Sequence, residues 1–164
     1  MKKTRIAPSG LSLEDRNILL NFLVFPDYFC IEWFSGDPEV TSSQLVSTVL
    51  FLNGRQWIVL RKDQEGCYEW SKKCPREELL ADVPAEQIRA KYRKSFQILR
   101  KHLPETADNL SVMAGQCLRA GIEMDDLDLL FRAACVEEES HRISSAIEIY
   151  DAVLESMEKR MDTW

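Results

Sequence analysis

The 164-residue chain has only two histidines, His102 and His141, and it has no Gly-rich phosphate loop and no nucleophile motif. One Glu-x-x-His occurs, Glu138-Glu-Ser-His141, where a di-iron bundle needs two. Asp125, Asp126, Asp128 and Glu137 to Glu139 match neither an EF-hand loop nor a paired-carboxylate site. They read as helix starts and solvated faces. His102 falls near a helix C-terminus, where a cation is favoured for structural reasons. No enzyme activity, catalytic residue, metal or cofactor is expected.

Long apolar runs are lacking too. Ile18 to Phe25, broken by Asn21, and Val49 to Leu52 fall far short of the roughly 20 residues that span a bilayer. The start, Met1-Lys-Lys-Thr-Arg-Ile-Ala-Pro-Ser-Gly10, is basic but has no apolar segment behind it, so a signal peptide is not expected. Cysteine is present in an odd number: Cys30, Cys67, Cys74, Cys117 and Cys135, with no Cys-x-x-Cys pair. Reduced, buried thiols in a cytoplasmic protein are the expectation, with no zinc site. Six Gly and six Pro exclude collagen and low-complexity disorder.

What the chain does have is an uneven charge. The net charge of −6 argues against an indiscriminate nucleic-acid coat protein. A division near Leu103-Pro104 separates two parts. Residues 1–107 carry 16 Lys and Arg against 14 Asp and Glu, a net +2. Residues 108–164 carry 5 against 13, a net −8. The acidity thus belongs to the tail, and a DNA-facing first domain is permitted. The expected domains are 1–107 and 108–164.

The elements follow from periodicity and breakers. Ser12 suits an N-cap, and Leu13, Ile18, Leu19, Phe22 and Leu23 share a helical face that Pro26 stops. Tyr28 to Phe34 is a short helix or a strand. Trp57 to Arg61 and Cys67 to Trp70 are strands of a hairpin with the charged tip Lys62-Asp-Gln-Glu-Gly66. Pro75 opens a short helix to Leu80. Pro84 opens a long one to Leu103, with an apolar stripe of Ile88, Tyr92, Phe96, Leu99 and Leu103. Its Arg89, Lys91, Arg93, Lys94, Arg100 and Lys101 read as a solvated basic face. Three helices fill the tail. Their apolar faces are Leu110, Met113, Ala114, Cys117 and Leu118, then Leu127, Leu130, Phe131 and Ala134, then Ile143, Ile147, Tyr150, Val153, Leu154 and Met157. The stretch Ala146 to Leu154 is reminiscent of a tetratricopeptide helix, but no 34-residue repeat is present.

Residues 41–53 fit two structures. As a helix capped by Thr41 or Ser42, they turn Val46, Val49, Leu50 and Leu52 inward and Ser43, Gln44, Ser47 and Thr48 outward. As a strand, they lead through Asn53-Gly54 into Trp57 to Leu60, the strongest short-range hairpin signal in the chain. Asn-Gly also suits a helix C-terminus, because both residues tolerate left-handed backbone angles.

With the helix, the element order becomes that of a winged helix-turn-helix. The segment Val40-Thr-Ser-Ser-Gln-Leu-Val-Ser-Thr-Val-Leu-Phe-Leu-Asn-Gly-Arg-Gln-Trp-Ile-Val-Leu-Arg-Lys-Asp-Gln-Glu-Gly-Cys-Tyr-Glu-Trp70 resembles the recognition helix and wing of bacterial winged-helix regulators, closest in layout to the MarR class and its GbsR-like relatives. The likeness covers about residues 13–103 and rests on degenerate motifs. It implies a mostly α fold with a small β-hairpin, a winged helix-turn-helix followed by a helical tail. It also implies a cytoplasmic transcriptional regulator that binds double-stranded DNA as a homodimer. Ser42, Ser43, Gln44, Ser47 and Thr48 would face the major groove. Arg61, Lys62 and Gln64 of the wing would meet the phosphate backbone, with Lys72, Lys73 and Arg76 on the same side. Few phosphate contacts per subunit make a dimer necessary for useful affinity.

Read as a recognition helix, residues 41–53 have no Lys or Arg. That absence supports an alternative, a winged helix serving only as a protein-binding scaffold. With the strand, the protein becomes a small acidic α+β binding module that resembles type III secretion chaperones in size and charge. In either case the acidic tail offers a surface for dimerisation or for a protein partner.

Overall fold

The computed structural model describes residues 13–161; the expected cap Ser12 and the basic N-terminus lie outside them. The chain forms two compact units, residues 1–88 and 89–164. The division falls inside the long helix, where a boundary at 107 was expected.

In the first unit, α1 (Leu13–Leu23) is followed by β1 (Tyr28–Cys30) and a 3-10 turn (Ile31–Phe34). Then come α2 (Ser42–Gly54), β2 (Ile58–Leu60), β3 (Cys67–Trp70) and α3 (Arg76–Ala81). The expected two-stranded hairpin is a three-stranded antiparallel sheet in the order β1-β3-β2. Segment 28–34 is therefore strand first and helical turn second. Phe29 pairs with Tyr68 and Val59 with Glu69, so β3 is central. Aromatic rings fill the core. Phe22 lies 4.7 Å from Phe29 and 4.6 Å from Phe34, centroid to centroid, and all three are buried. Tilted contacts of this kind add about 1 kcal/mol each beyond area burial.

The ambiguity of 41–53 resolves as helix. Thr41 Oγ1 accepts from the Gln44 backbone N–H at 3.3 Å, and the Gln44 carboxamide oxygen accepts from the Thr41 N–H at 3.0 Å. This capping box satisfies two donors that a helix start otherwise leaves open. Leu45, Thr48, Val49 and Leu52 are buried at steps of three and four, toward α1. Val49 and Leu52 thus face inward as expected, while Leu45 and Thr48 take the inward places expected for Val46 and Leu50. Asn53 and Gly54 remain helical, and the left-handed residue after the helix is Gln56, at φ 58°. Gly66 takes the other positive φ of the hairpin, +70°, at its charged tip.

Cysteine behaves differently from expectation as well. Cys30 and Cys67 face each other across β1 and β3 and form a disulfide. Strand register brings them together, a long-range fact that Cys spacing does not encode. The bond removes the argument for a reducing compartment that the cysteines were expected to supply. Cys74, Cys117 and Cys135 are free.

The second unit takes in most of α4 (Ala85–His102), then α5 (Ala107–Ala120), a 3-10 turn (Met124–Asp126), α6 (Leu127–Glu139) and α7 (Ile143–Met161). α6 packs against both α5 and α7. Ala114, Ala133, Ala134 and Ala146 are buried and let the helices approach closely, around Met113, Leu129, Leu130 and Ile149. The basic residues of α4 are only partly a solvated face. Lys91 is buried, and Arg93 bonds Asp126 at 2.7 Å and the Gly121 carbonyl. No helix among the described residues is long and apolar enough to cross a membrane.

Candidate functional site

α2 and the β2–β3 tip carry every residue expected to contact DNA. Ser42, Ser43 and Ser47 are exposed on α2, and Lys62 and Gln64 are exposed at the tip. The other three are committed elsewhere. Thr48 is 1% exposed and points into the first unit's core. Gln44 spends its carboxamide on the capping box. Arg61 donates to both Asp63 oxygens, at 2.9 and 2.5 Å, and its guanidinium carbon sits 4.2 Å from the centre of the Tyr28 ring. Those hydrogen bonds hold the Asp63 carboxyl below the usual carboxylate range. Asp63 thus already occupies the fork that a phosphate would need.

Arg76 is also taken. Its guanidinium donates to the carbonyls of Leu23, Phe25 and Pro26, closing the C-terminal end of α1, and it stacks on Trp70. These partners lie about fifty residues away in sequence, so no local signal marks the role.

Two residues that local reading placed inside come to the surface. Val46 is 55% exposed and Leu50 65%, one turn apart on the outward face of α2. Val59 and Leu60 of the edge strand β2 are likewise about half exposed. The outward face of α2 is therefore Ser43, Val46, Ser47, Leu50 and Asn53, with no cation. Helical phase carries the signal for this: Leu45, Thr48, Val49 and Leu52 fit steps of three and four, which leaves 46 and 50 outside.

Redrawing the boundary at 88 also changes the charge. Residues 1–88 hold 10 Lys and Arg against 13 Asp and Glu, a net −3. Residues 89–164 hold 11 against 14, also −3. The mild positive balance expected for the first domain came from Arg89 to Lys101, which belong to the second unit.

The second unit contains a half-open groove of about 570 Å³ lined by Ser111, Gly115, Arg119, Glu137, Arg142 and Ile149, among others. Its charges largely satisfy one another. Arg142 donates to Glu137 at 2.5 Å, Ser111 bonds the same carboxylate, and the Arg142 hydrogen bonds pull the Glu137 pKa down. Two of the free thiols, Cys74 and Cys117, are poor nucleophiles. Burial pushes Cys74 up to about 11. Burial and the nearby Asp126 push Cys117 up to about 12. Among the described residues, no three of His, Cys, Asp and Glu gather as a metal site.

Comparison with family models, with curated proteins and with solved structures finds no match to this chain.

Proposed function

We propose that the first unit is a winged-helix module that binds a protein through the outward face of α2 and performs no chemistry itself. The element order α1, β1, turn, α2, β2, β3 and the sheet order β1-β3-β2 support the winged frame. In that frame α2 stands where a recognition helix would, and the 61–66 tip where a wing would.

The observation that carries the reading is the apolar pair Val46 and Leu50 on a cation-free α2 face. Duplex affinity comes largely from Lys and Arg on phosphates. A unit of net −3, whose wing arginine is held by Asp63, supplies little of it. Apolar side chains ringed by Ser and Asn suit the desolvated centre of a protein interface instead. The rival is a DNA-binding regulator that reads bases with Ser42, Ser43, Gln44 and Ser47.

The test is a photo-crosslinking amino acid placed at Leu50 of the full chain, in the native cells. The expected adduct is to a protein, and Val46→Asp should abolish it. A nucleic-acid adduct would overturn the proposal. So would salt-sensitive duplex binding lost in a Ser43/Gln44/Ser47 triple alanine variant.

A further inference from the structure

The outer surface of α7 carries a second apolar stripe that the second unit's own core does not use. Ala146, Ile149 and Val153 are buried and face α6. Ile143, Ile147, Leu154, Met157 and Met161 are 43–75% exposed. With the half-buried Tyr150, they recur at steps of four, three, four, three and four. Phe131 of α6, 45% exposed, widens the stripe through its ring contact with Tyr150, centroids 6.3 Å apart.

The period is informative. A straight helix turns every 3.6 residues, so a strict 3.5-residue stripe drifts around it unless a second helix supercoils alongside. Such a stripe is the a/d seam of a coiled coil. It runs the full 19 residues of α7, roughly 28 Å at 1.5 Å per residue. The exposed side chains amount to on the order of 600 Å² of apolar surface per copy, against about 800 Å² per partner in a standard interface. Monomers rarely expose contiguous apolar patches larger than a few hundred Å².

We infer that a second copy of this chain covers the stripe, α7 against α7 across a two-fold axis. A two-fold interface requires a patch complementary to itself, and a seam of Ile, Leu, Met and Tyr meets that requirement. No charged side chain lies within the stripe, so apposing two copies buries no unpaired charge. Asp151 and Glu158 flank it at the rim, where water still reaches them. The second copy brings a seam of the same length and period, and the α6–α7 hairpins close as a four-helix bundle. This interface does not depend on what the α2 face binds.

Sedimentation equilibrium of the full chain across about 1–100 µM, the range where mass action decides, tests the inference. The wild type should have twice the 19.0 kDa chain mass. Leu154→Glu and, separately, Ile147→Glu should weaken association by about 100-fold or more, because each buries an unpaired charge in the seam. Both positions are exposed in the single chain, so circular dichroism should be unchanged, and either variant that folds suffices for the reading. Ser145→Glu, on the face opposite the seam, should remain dimeric. A wild type that stays monomeric throughout overturns the inference, whether another partner or another segment of the chain covers the stripe. A folded Leu154→Glu or Ile147→Glu protein that dimerises like the wild type overturns it as well.

Discussion

Asp126 is a carboxylate at 2% exposure, and Arg93 bonds it at 2.7 Å. Burial pushes its pKa up, but the Arg93 hydrogen bond, the Glu123 backbone N–H and the Cys117 thiol outweigh that and hold it below 3.8. A carboxyl whose folded pKa lies below its unfolded one stabilises the fold fully above the unfolded value. That contribution is lost as pH falls through the folded value. Asp126→Asn should therefore cost about 2 kcal/mol at neutral pH, because it removes the close, buried partner of Arg93 and leaves only the exposed Glu123 carboxylate, 3.4 Å away, to balance the guanidinium. It should also flatten the loss of stability below pH 3.8. Glu137, lowered chiefly by its Arg142 hydrogen bonds, titrates in the same direction and keeps part of the slope. Urea unfolding at stepped pH reads both effects, and an unchanged slope in the variant would show that Asp126 carries no linkage. Little of this was legible in the sequence. Arg93 reads there as one cation of a solvated face, and Asp126 as a helix start. Their pairing spans 33 residues and depends on how α4 meets the turn before α6. Thr48 is hard to place for a different reason: its polarity suggests an outward position, whereas the phase of Leu45, Val49 and Leu52 requires an inward one.

Elements were legible where breakers and caps are local. Pro75 and Pro84 each fall one residue before the helix they open, and Pro26 three residues after the end of α1. Thr41 and Gln44 form a capping box that outweighs the hairpin signal of Asn53-Gly54, since β2 still follows once the helix has ended. The third strand was not legible as such, because three residues, Tyr28 to Cys30, carry no period. Their pairing with β3 is what creates the Cys30–Cys67 bond, which closes a sequence separation of 37. A loop of that length is worth roughly 3–4 kcal/mol through the entropy it removes from the unfolded chain. A dithiol reductant should therefore lower the urea stability of the first unit by about that amount. A Cys30→Ser/Cys67→Ser variant should start at the reduced value and ignore the reductant. A wild type indifferent to reduction would mean that the bond contributes nothing to stability.

At the scale of the whole molecule, the boundary decides what the charge means. Cut at 107, the chain looks like a slightly positive module with a strongly acidic tail. Cut at 88, each unit carries −3, and the basic helix turns out to work partly inside the second unit, through Arg93 and Lys91. The Leu103-Pro104 break marks the end of a helix, and composition alone cannot separate that from the end of a domain. Each unit has its own core, so the two should respond separately to local damage. Three of the four tryptophans, Trp33, Trp57 and Trp70, lie in the first unit and only Trp164 in the second, whereas most helical residues after 88 report on the second. The Cys30→Ser/Cys67→Ser pair should move the unfolding transition followed by tryptophan fluorescence and leave most of the far-ultraviolet dichroism transition in place. Asp126→Asn should do the reverse. If both variants shift both signals by equal amounts, the chain unfolds as a single cooperative body.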